Sequence, residues 1–356
     1  MTINNEHKKL NVPNLRFPEF SGEWHSFLIN EICSEFKSGK NIKADSISEN
    51  GEYPVFGGNG LRGYTASYNH EGLYVLIGRQ GALCGNVRSV NGKTYITEHA
   101  IAAAGNEKSN TSFLHYLFFK MNLGQYSDQS AQPGLAVNKL LKLEVSLPPI
   151  SEQKKIAKLL SLLDERIATQ NKIIGKLQSL IKGIGKQLFM DNQNWRTVKI
   201  GELLRIGNGK DYKHLCIGKI PVYGTGGQML LVNDYLYDGE SVCIGRKGTI
   251  DTPMFLKGKF WTVDTLFYTY DFKDVLPKFC YYLFLQINWK LYNEGTGVPS
   301  LSKSTIENIK VKIPSLEQQK KICSILDCYE HKTNNEEQIL EIYHSEKQYL
   351  LRQMFI

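Results

Sequence analysis

Hydrophobic and polar positions along this chain follow two different rhythms, and each rhythm occurs twice. From 156 to 188, Ile156, Leu160, Leu163, Ile167, Gln170, Ile174, Leu177, Ile181, Ile184 and Leu188 alternate in 4-3 spacing. All but Gln170 are aliphatic, which predicts a coiled-coil seam roughly 50 Å long on one straight helix. A second seam lies 166 residues later, at Ile322, Leu326, Tyr329, Thr333, Glu336, Leu340, Tyr343, Lys347, Leu350 and Met354. Proline (Pro148, Pro149, Pro314) and then Ser151 or Ser315, with Glu or Gln following, predict the start of each helix. Ahead of each helix the rhythm is shorter. β-rich runs such as GLYVLIG and SVCIG are separated by Gly/Asn/Asp turns, and a helix is predicted at SFLHYLFFKMNL and at KFCYYLFLQINW.

The doubling extends to short phrases. PVFGGNG (54–60) returns as PVYGTGG (221–227) and IGRQG (77–81) as IGRKG (244–248), both 167 residues on. QPGLAVNKL around Pro133 resembles GVPSLSKST around Pro299, and PPISEQKKIAKLL from Pro148 matches PSLEQQKKICSIL from Pro314. KQLF, ending at Phe189, matches RQMF, ending at Phe355. Trp24 pairs with Trp195 and Gly39 with Gly209. The order never changes, so the chain is a duplication whose offset drifts through small loop indels. Its period is too long for a solenoid. The partition is 1–150 and 191–313 as α/β heads, with 151–190 and 314–356 as helical spacers.

Charge adds a pairing rule. Arg166, Lys172, Lys176, Lys182 and Lys186 stand in a stretch without an acid, whereas Asp327, Glu330, Glu336, Glu337, Glu341 and Glu346 make the other helix acidic. Laid antiparallel about residues near 172 and 338, the basic stretch faces the acidic one. The fold class is therefore α/β: two similar domains separated by a long antiparallel two-helix coiled coil, an internal repeat with pseudo-twofold symmetry. Gly175, Gly183 and Gly185 cost helix stability, and close approach of another backbone is the expected reason.

At 356 residues and 42% hydrophobic, the chain has room for two cores. No apolar run approaches a membrane span, the first twenty residues lack a secretory leader, and the seven cysteines never form CxxC. These features predict a cytoplasmic protein with reduced thiols and no metal site. The net charge of +8 raises the expectation of nucleic acid only modestly, because residues 1–150 carry +1 and residues 195–313 carry +5. Catalytic patterns are not found. Position 87, where a phosphate loop ending in GKT would begin with glycine, is Val87, and His99 beside Glu98 is answered in the other repeat by Thr265.

The glycine phrases are the candidate binding loops. Amides of Gly57, Gly58, Gly60, Gly224, Thr225, Gly226 and Gly227 can meet phosphate oxygens, while Asn59, Arg62 and Gln228 can reach base edges. Arg79 with Gln80, and Arg246 with Lys247, offer the same chemistry from a second loop. Shared positions such as Gly57/Gly224 and Arg79/Arg246 suit scaffold or phosphate roles. Positions that differ, Gln80/Lys247 and Leu61/Gln228, suit sequence readout.

The phrases VPNLRFPEFSGEW, YPVFGGNG/IPVYGTGG and IGRQG/IGRKG, with the PPISEQKKIAKLLSLLDERI block closing the first half, resemble the specificity subunit of type I restriction–modification systems over nearly the whole chain. The second spacer departs from that pattern, with LDCYEHKTNNEEQ in place of LLDERIATQNKII. The resemblance implies two target-recognition domains reading the halves of a bipartite, asymmetric site in double-stranded DNA, with antiparallel spacers as a ruler. It also implies two methyltransferase subunits and two motor-nuclease subunits as partners. S-adenosylmethionine, ATP and Mg²⁺ are expected on those partners and no cofactor on this chain. An assembly scaffold without DNA readout and a stand-alone methyltransferase or nuclease are the competing readings. Inserting one heptad into each spacer is expected to change the spacing of the half-sites and leave both half-site sequences intact, as mapped from the methylated motif.

Overall fold

The computed structural model describes residues 10–128, 133–190 and 193–356. The first nine residues, on which the reading of the leader partly rests, and Gln132 of the QPGLAVNKL phrase lie outside them. The chain divides into two compact units, Met1–Asn171 with Ile339–Ile356, and Lys172–Gln338.

In the first unit, β1 (His25–Leu28) leads through the helical turn α1 (Ile29–Ile32) into β2 (Cys33–Ser38). Then come β3 (Tyr53–Gly57), β4 (Gly60–Thr65), β5 (His70–Glu71), β6 (Tyr74–Gly78), β7 (Val87–Val90), β8 (Lys93–Ile96) and β9 (Ala100–Gly105). Helix α2 (Thr111–Met121), the turn α3 (Val137–Leu140), β10 (Glu144–Leu147) and the long helix α4 (Ile150–Met190) follow. The strands form two sheets, ordered β2-β9-β6-β7 and β4-β3-β8-β5, with β1 and β10 paired beside them.

The second repeat runs through the same series. It comprises β11 (Arg196–Lys199), α5 (Ile200–Leu203), β12 (Arg205–Asn208), β13 (Ile217–Gly224), β14 (Gly227–Val232), β15 (Tyr237–Gly245), β16 (Met254–Thr262), β17 (Leu266–Tyr270), α6 (Pro277–Gln286), α7 (Lys303–Asn308), β18 (Lys310–Ile313) and α8 (Leu316–Gln353). Here one six-stranded sheet runs β12-β17-β15-β16-β13-β14. Its strand order equals that of the first repeat once β5 and β6 are read as one interrupted β15, and β7 and β8 as one interrupted β16. Backbone bonds between Gly72 and Gly92, 3.1 and 3.2 Å, bridge that interruption, where Gly239 and Gly258 pair in the continuous ribbon.

The long helices begin at equivalent positions but are capped differently. Ser315 precedes α8, and its Oγ accepts from the Gln318 amide at 3.4 Å. Helix α4 already starts at Ile150, so Ser151 lies inside its first turn and is not the cap that the sequence pattern indicated. Beside it, Arg16 holds the fully buried Glu152 bidentately, at 2.8 and 2.7 Å.

One residue into each first turn is a glutamine with no exposed surface. Gln153 Oε1 accepts from the Asn110 amide at 2.8 Å, while its Nε2 donates to the carbonyls of Lys108 and Pro148 at 2.9 and 2.8 Å. Gln319 repeats this with the Leu276 amide at 2.8 Å and the carbonyls of Asp274 and Pro314 at 2.9 and 3.1 Å. The head helix is tied again by a tyrosine. Tyr116 donates to Asp164 at 2.9 Å, and Tyr282 to Asp327 at 2.6 Å and Glu330 at 3.1 Å. Burial first, and then the acid partner, push both phenols above their ordinary range.

Within each unit the halves of α4 and α8 run antiparallel. Lys347 meets Asp164 at 2.5 Å in the first unit, and Gln178 Nε2 donates to Glu337 at 3.4 Å in the second. Every seam position of both helices is buried or half-buried, including the polar Gln170, Thr333, Glu336 and Lys347. Arg166, Lys172, Lys176, Lys182 and Lys186 are exposed, so their charge acts through a solvated field.

Each core is closed by the end of the helix that belongs to the other repeat. In the first unit Phe355 stacks on Phe113 at 5.1 Å and meets Trp24 edge-on at 6.4 Å. In the second, Phe189 stacks on Phe279 at 5.3 Å and meets Trp195 edge-on at 5.7 Å. This is the structural content of the repeated KQLF and RQMF endings.

The helix glycines are a correction. No backbone approaches them: Gly175 and Gly183 have nothing within 4 Å of an added Cβ, and Gly185 meets only the Gln286 side chain. Nothing in the structure explains Gly175 or Gly183. Among the described residues no helix is long and apolar enough to cross a membrane. Burial pushes the thiols of Cys33, Cys243 and Cys323 up to about 12, so these cysteines act as small apolar side chains.

Gln153→Ala removes the partner of one amide and two carbonyls, the Pro148 carbonyl being buried, and is expected to destabilise the first unit by about 1–3 kcal/mol in urea unfolding, with Gln319→Ala acting likewise on the second.

Candidate nucleic-acid interface

Each repeat folds its glycine phrase into a two-residue hairpin. Gly57 pairs with Gly60 across Gly58–Asn59, and Gly224 with Gly227 across Thr225–Gly226. Gly60 and Gly227 take φ of 107° and 110°, a region that disfavours other residues. Just beyond the tip both hairpins carry a β-bulge. Val55 pairs with Gly63 and Phe56 with Leu61, leaving Arg62 as the extra residue. Val222 pairs with Leu230 and Tyr223 with Gln228, leaving Met229. Bulges redirect the extra side chain out of the ladder.

The redirected side chain lies over the first glycine of the phrase. A methyl on Gly57 would sit 3.0 Å from Cδ of Arg62 and 3.3 Å from Oγ1 of Thr97. A methyl on Gly224 would sit 2.9 Å from Sδ of Met229 and 3.7 Å from Cγ2 of Val263. These glycines are thus seats for a side chain, a role that the phrase alone did not disclose.

The GRQG and GRKG turns pack against the hairpins. A Cβ on Gly58 would lie 3.3 Å from Cα of Gly78 and 3.6 Å from the Arg79 nitrogen, and one on Gly248 would lie 3.8 Å from Oγ1 of Thr225. The Arg79 amide donates to the His99 carbonyl at 2.9 Å, and its carbonyl accepts from Leu135 at 2.9 Å. Arg246 makes the same bonds with Thr265 and Leu301, at 2.8 and 2.9 Å. A third segment completes each site. Gln80 bridges Gly134 and Lys247 bridges Ser300, while the Gly81 and Gly248 amides donate to the carbonyls of Pro133 and Pro299. The two sequence-predicted loops and this third segment, which the sequence marked only as a repeated phrase, therefore meet at one end of the sheet in each unit.

Their side chains differ in exposure. Asn59, Arg62, Gln80, Gly226, Gln228, Arg246 and Lys247 are exposed, Arg79, Thr225 and Gly227 are half-buried, and Gly57, Gly58, Gly60 and Gly224 are buried. The buried glycines have no open approach to phosphate, so their amides are framework. The Arg246 guanidinium lies 6.0 Å from the Phe267 ring centroid. His99, set aside as catalytic because Thr265 stands in its place in the other repeat, is exposed and bonded to Glu98 at 3.1 Å and to Gln80 at 3.2 Å.

Sequence reasoning missed the floor of each site. Thr97 and Val263 lie beneath the hairpin glycines, and Arg88 packs against Gly60. The signal was present in the SGK and NGK phrases. A Cβ on Gly39 would lie 2.2 Å from the Ile96 carbonyl oxygen, and one on Gly209 1.8 Å from that of Val263. The strand that supplies the floor is held by this backbone-on-backbone contact.

Comparison with known proteins matches this repeat. The profile of the type I restriction modification DNA specificity domain matches twice, over residues 21–179 and 192–342. The chain belongs to that family. The EcoprrI specificity subunit of Escherichia coli is 43% identical over 154 residues, which cover 42% of this chain and 38% of that protein. A putative specificity subunit of Haemophilus influenzae, S.HindORF215P, is 26% identical over 92% of this chain and 93% of its own length. The crystal structure of a type I restriction–modification S subunit from M. genitalium superposes with a TM-score of 0.71 at 18% identity, covering 97% of this chain and 99% of that one. Between its own two copies this chain changes exposed side chains of the three loops, while the glutamine and tyrosine clamps stay the same.

Gly209→Ala, which must move the Val263 backbone, is expected to lower stability by about 2–3 kcal/mol. Gly226→Ala, with nothing within 4 Å, is expected to stay within about 0.5 kcal/mol in the same denaturation measurement.

Proposed function

We propose that this chain is the non-catalytic DNA-reading subunit of a type I restriction–modification enzyme, with each unit reading one half of a bipartite, asymmetric site. One observation carries the reading. The same three loops converge at one sheet end in both repeats on a common glycine frame, yet present different exposed side chains: Asn59, Arg62 and Gln80 in one, Gln228, Met229 and Lys247 in the other. Two readers of unlike half-sites require a constant frame with variable tips.

Arg79 and Arg246, anchored through identical backbone bonds, contact phosphate and fix register, while the differing tips meet base edges in the major groove. The long helices set the distance between half-sites. The faces of the helices left open to solvent dock two methyltransferase subunits and two motor-nuclease subunits. Those partners carry S-adenosylmethionine, ATP and Mg²⁺. The setting is the cytoplasm, where host DNA and reduced thiols coexist. With so little positive charge on the first head, the partners supply much of the phosphate neutralisation.

Mapping of methylated adenines in host DNA with and without the gene tests the proposal. A two-part motif that disappears with the gene is expected. With the methyltransferase subunits reconstituted, binding is expected to fall steeply with salt and to prefer that motif by about a thousandfold or more over unrelated DNA. Assembly with the methyltransferase subunits but no motif and no preference would instead establish a protein-binding scaffold.

A further inference from the structure

The two bulge residues occupy the same place in the two repeats but have opposite chemistry, and the floor beneath each matches it. Arg62 lies over Gly57 with the hydroxyl of Thr97 below. Thr97 has no exposed surface, and its Oγ1 has no hydrogen-bond partner. Met229 lies over Gly224 with a methyl of Val263 below. In one unit the aliphatic stem of Arg62 shares the space at the glycine with an unpaired hydroxyl, and in the other the Met229 thioether shares it with a valine methyl.

Each side chain is also presented outward. Among the described residues the Arg62 guanidinium makes no hydrogen bond or ion pair, although its stem is held on the glycine seat. Its donors are thus free while part of its rotamer freedom is already lost, which lowers the cost of ordering it on a ligand. Met229 is 53% exposed and is followed by exposed Leu230 and Leu231. A flexible thioether in that place has no polar bond to offer and is suited to apolar contact.

From this we infer that the bulge residue is the specificity-determining contact of each unit, Arg62 selecting guanine and Met229 selecting thymine at the equivalent step of the two half-sites. The assignment rests on the DNA-reading proposal above. A forked guanidinium matches the O6 and N7 acceptors of guanine in the major groove. A thymine presents a C5-methyl group there, which an apolar side chain contacts and a guanidinium does not. The bulge places either side chain at the same point, so exchange of one residue exchanges the base class without rebuilding the loop. The glycine seat explains why both copies keep Gly57 and Gly224 although their tips diverge.

The test uses the full chain assembled with its methyltransferase subunits and a DNA library with each half-site randomised in turn. The wild-type complex is expected to show a guanine preference at one position of one half-site and a thymine preference at the matching position of the other. Arg62→Met is expected to reduce the guanine preference about tenfold or more at that position alone. Met229→Arg is expected to replace thymine by guanine in the other half-site. Both residues are exposed, and Arg62→Lys, with a single point charge, is expected to leave an intermediate preference. Unchanged preferences in Arg62→Met and Met229→Arg would overturn the inference. So would a uniform loss of affinity on all sequences with a shallower salt dependence in Arg62→Met, which marks a phosphate contact. In either case the wild-type motif would still stand and DNA reading with it. A wild-type complex without any sequence preference would remove both.

Discussion

A buried side-chain amide at the foot of each long helix sets the geometry of the rest. Gln153 and Gln319 use one acceptor and two donor bonds each, all to backbone groups of the head that precedes the helix. A buried amide with these groups satisfied costs nothing in lost solvation, whereas any rotation of the helix against the head would leave several orphaned. The constraint is directional as well as stabilising, because three bonds from one planar group fix both position and angle. The tyrosine bonds of Tyr116 and Tyr282, about two to three turns along the helix, fix the second point of contact.

A helix fixed in this way at its start delivers its far end to the other unit. Phe189 fills the aromatic corner made by Trp195 and Phe279, and Phe355 that made by Trp24 and Phe113. Neither core is complete with residues of its own repeat alone. The length of each helix is therefore tied to where its end must enter an aromatic corner. That arrangement also accounts for a second seam with Thr333, Glu336 and Lys347 in it. Buried aromatic and aliphatic contacts at the helix ends, together with the Lys347–Asp164 pair, carry the association that a wholly apolar seam would otherwise have to supply.

The loop end of each sheet obeys a different logic. Backbone-to-backbone bonds among three segments hold the tips, so the side chains there are relieved of structural duty and free to differ. Arg79 and Arg246 share every backbone bond but one is half-buried and the other exposed. The bulge lets Arg62 and Met229 stand at one point despite their different chemistry. Constant frame and variable tip are what a duplicated reader of unlike targets needs.

The sequence by itself determined the duplication, the long helices, the antiparallel register of their charges and the positions of two of the three loops. Each of these is written in local periodicity or in repeated phrases, which survive as linear patterns. It also marked Gly57, Gly224, Gly39 and Gly209 as special without saying why. Tertiary structure alone decided that Gly57 and Gly224 seat the bulge side chain of the paired strand, that Thr97 and Val263 line the same place, and that Gly175 and Gly183 have no close neighbour at all. It alone decided that each head is closed by the other repeat's helix. Apart from the glycine seats, whose partners stand five residues on, these contacts join residues tens to hundreds of positions apart, and a linear pattern records that a residue is kept but not what it touches.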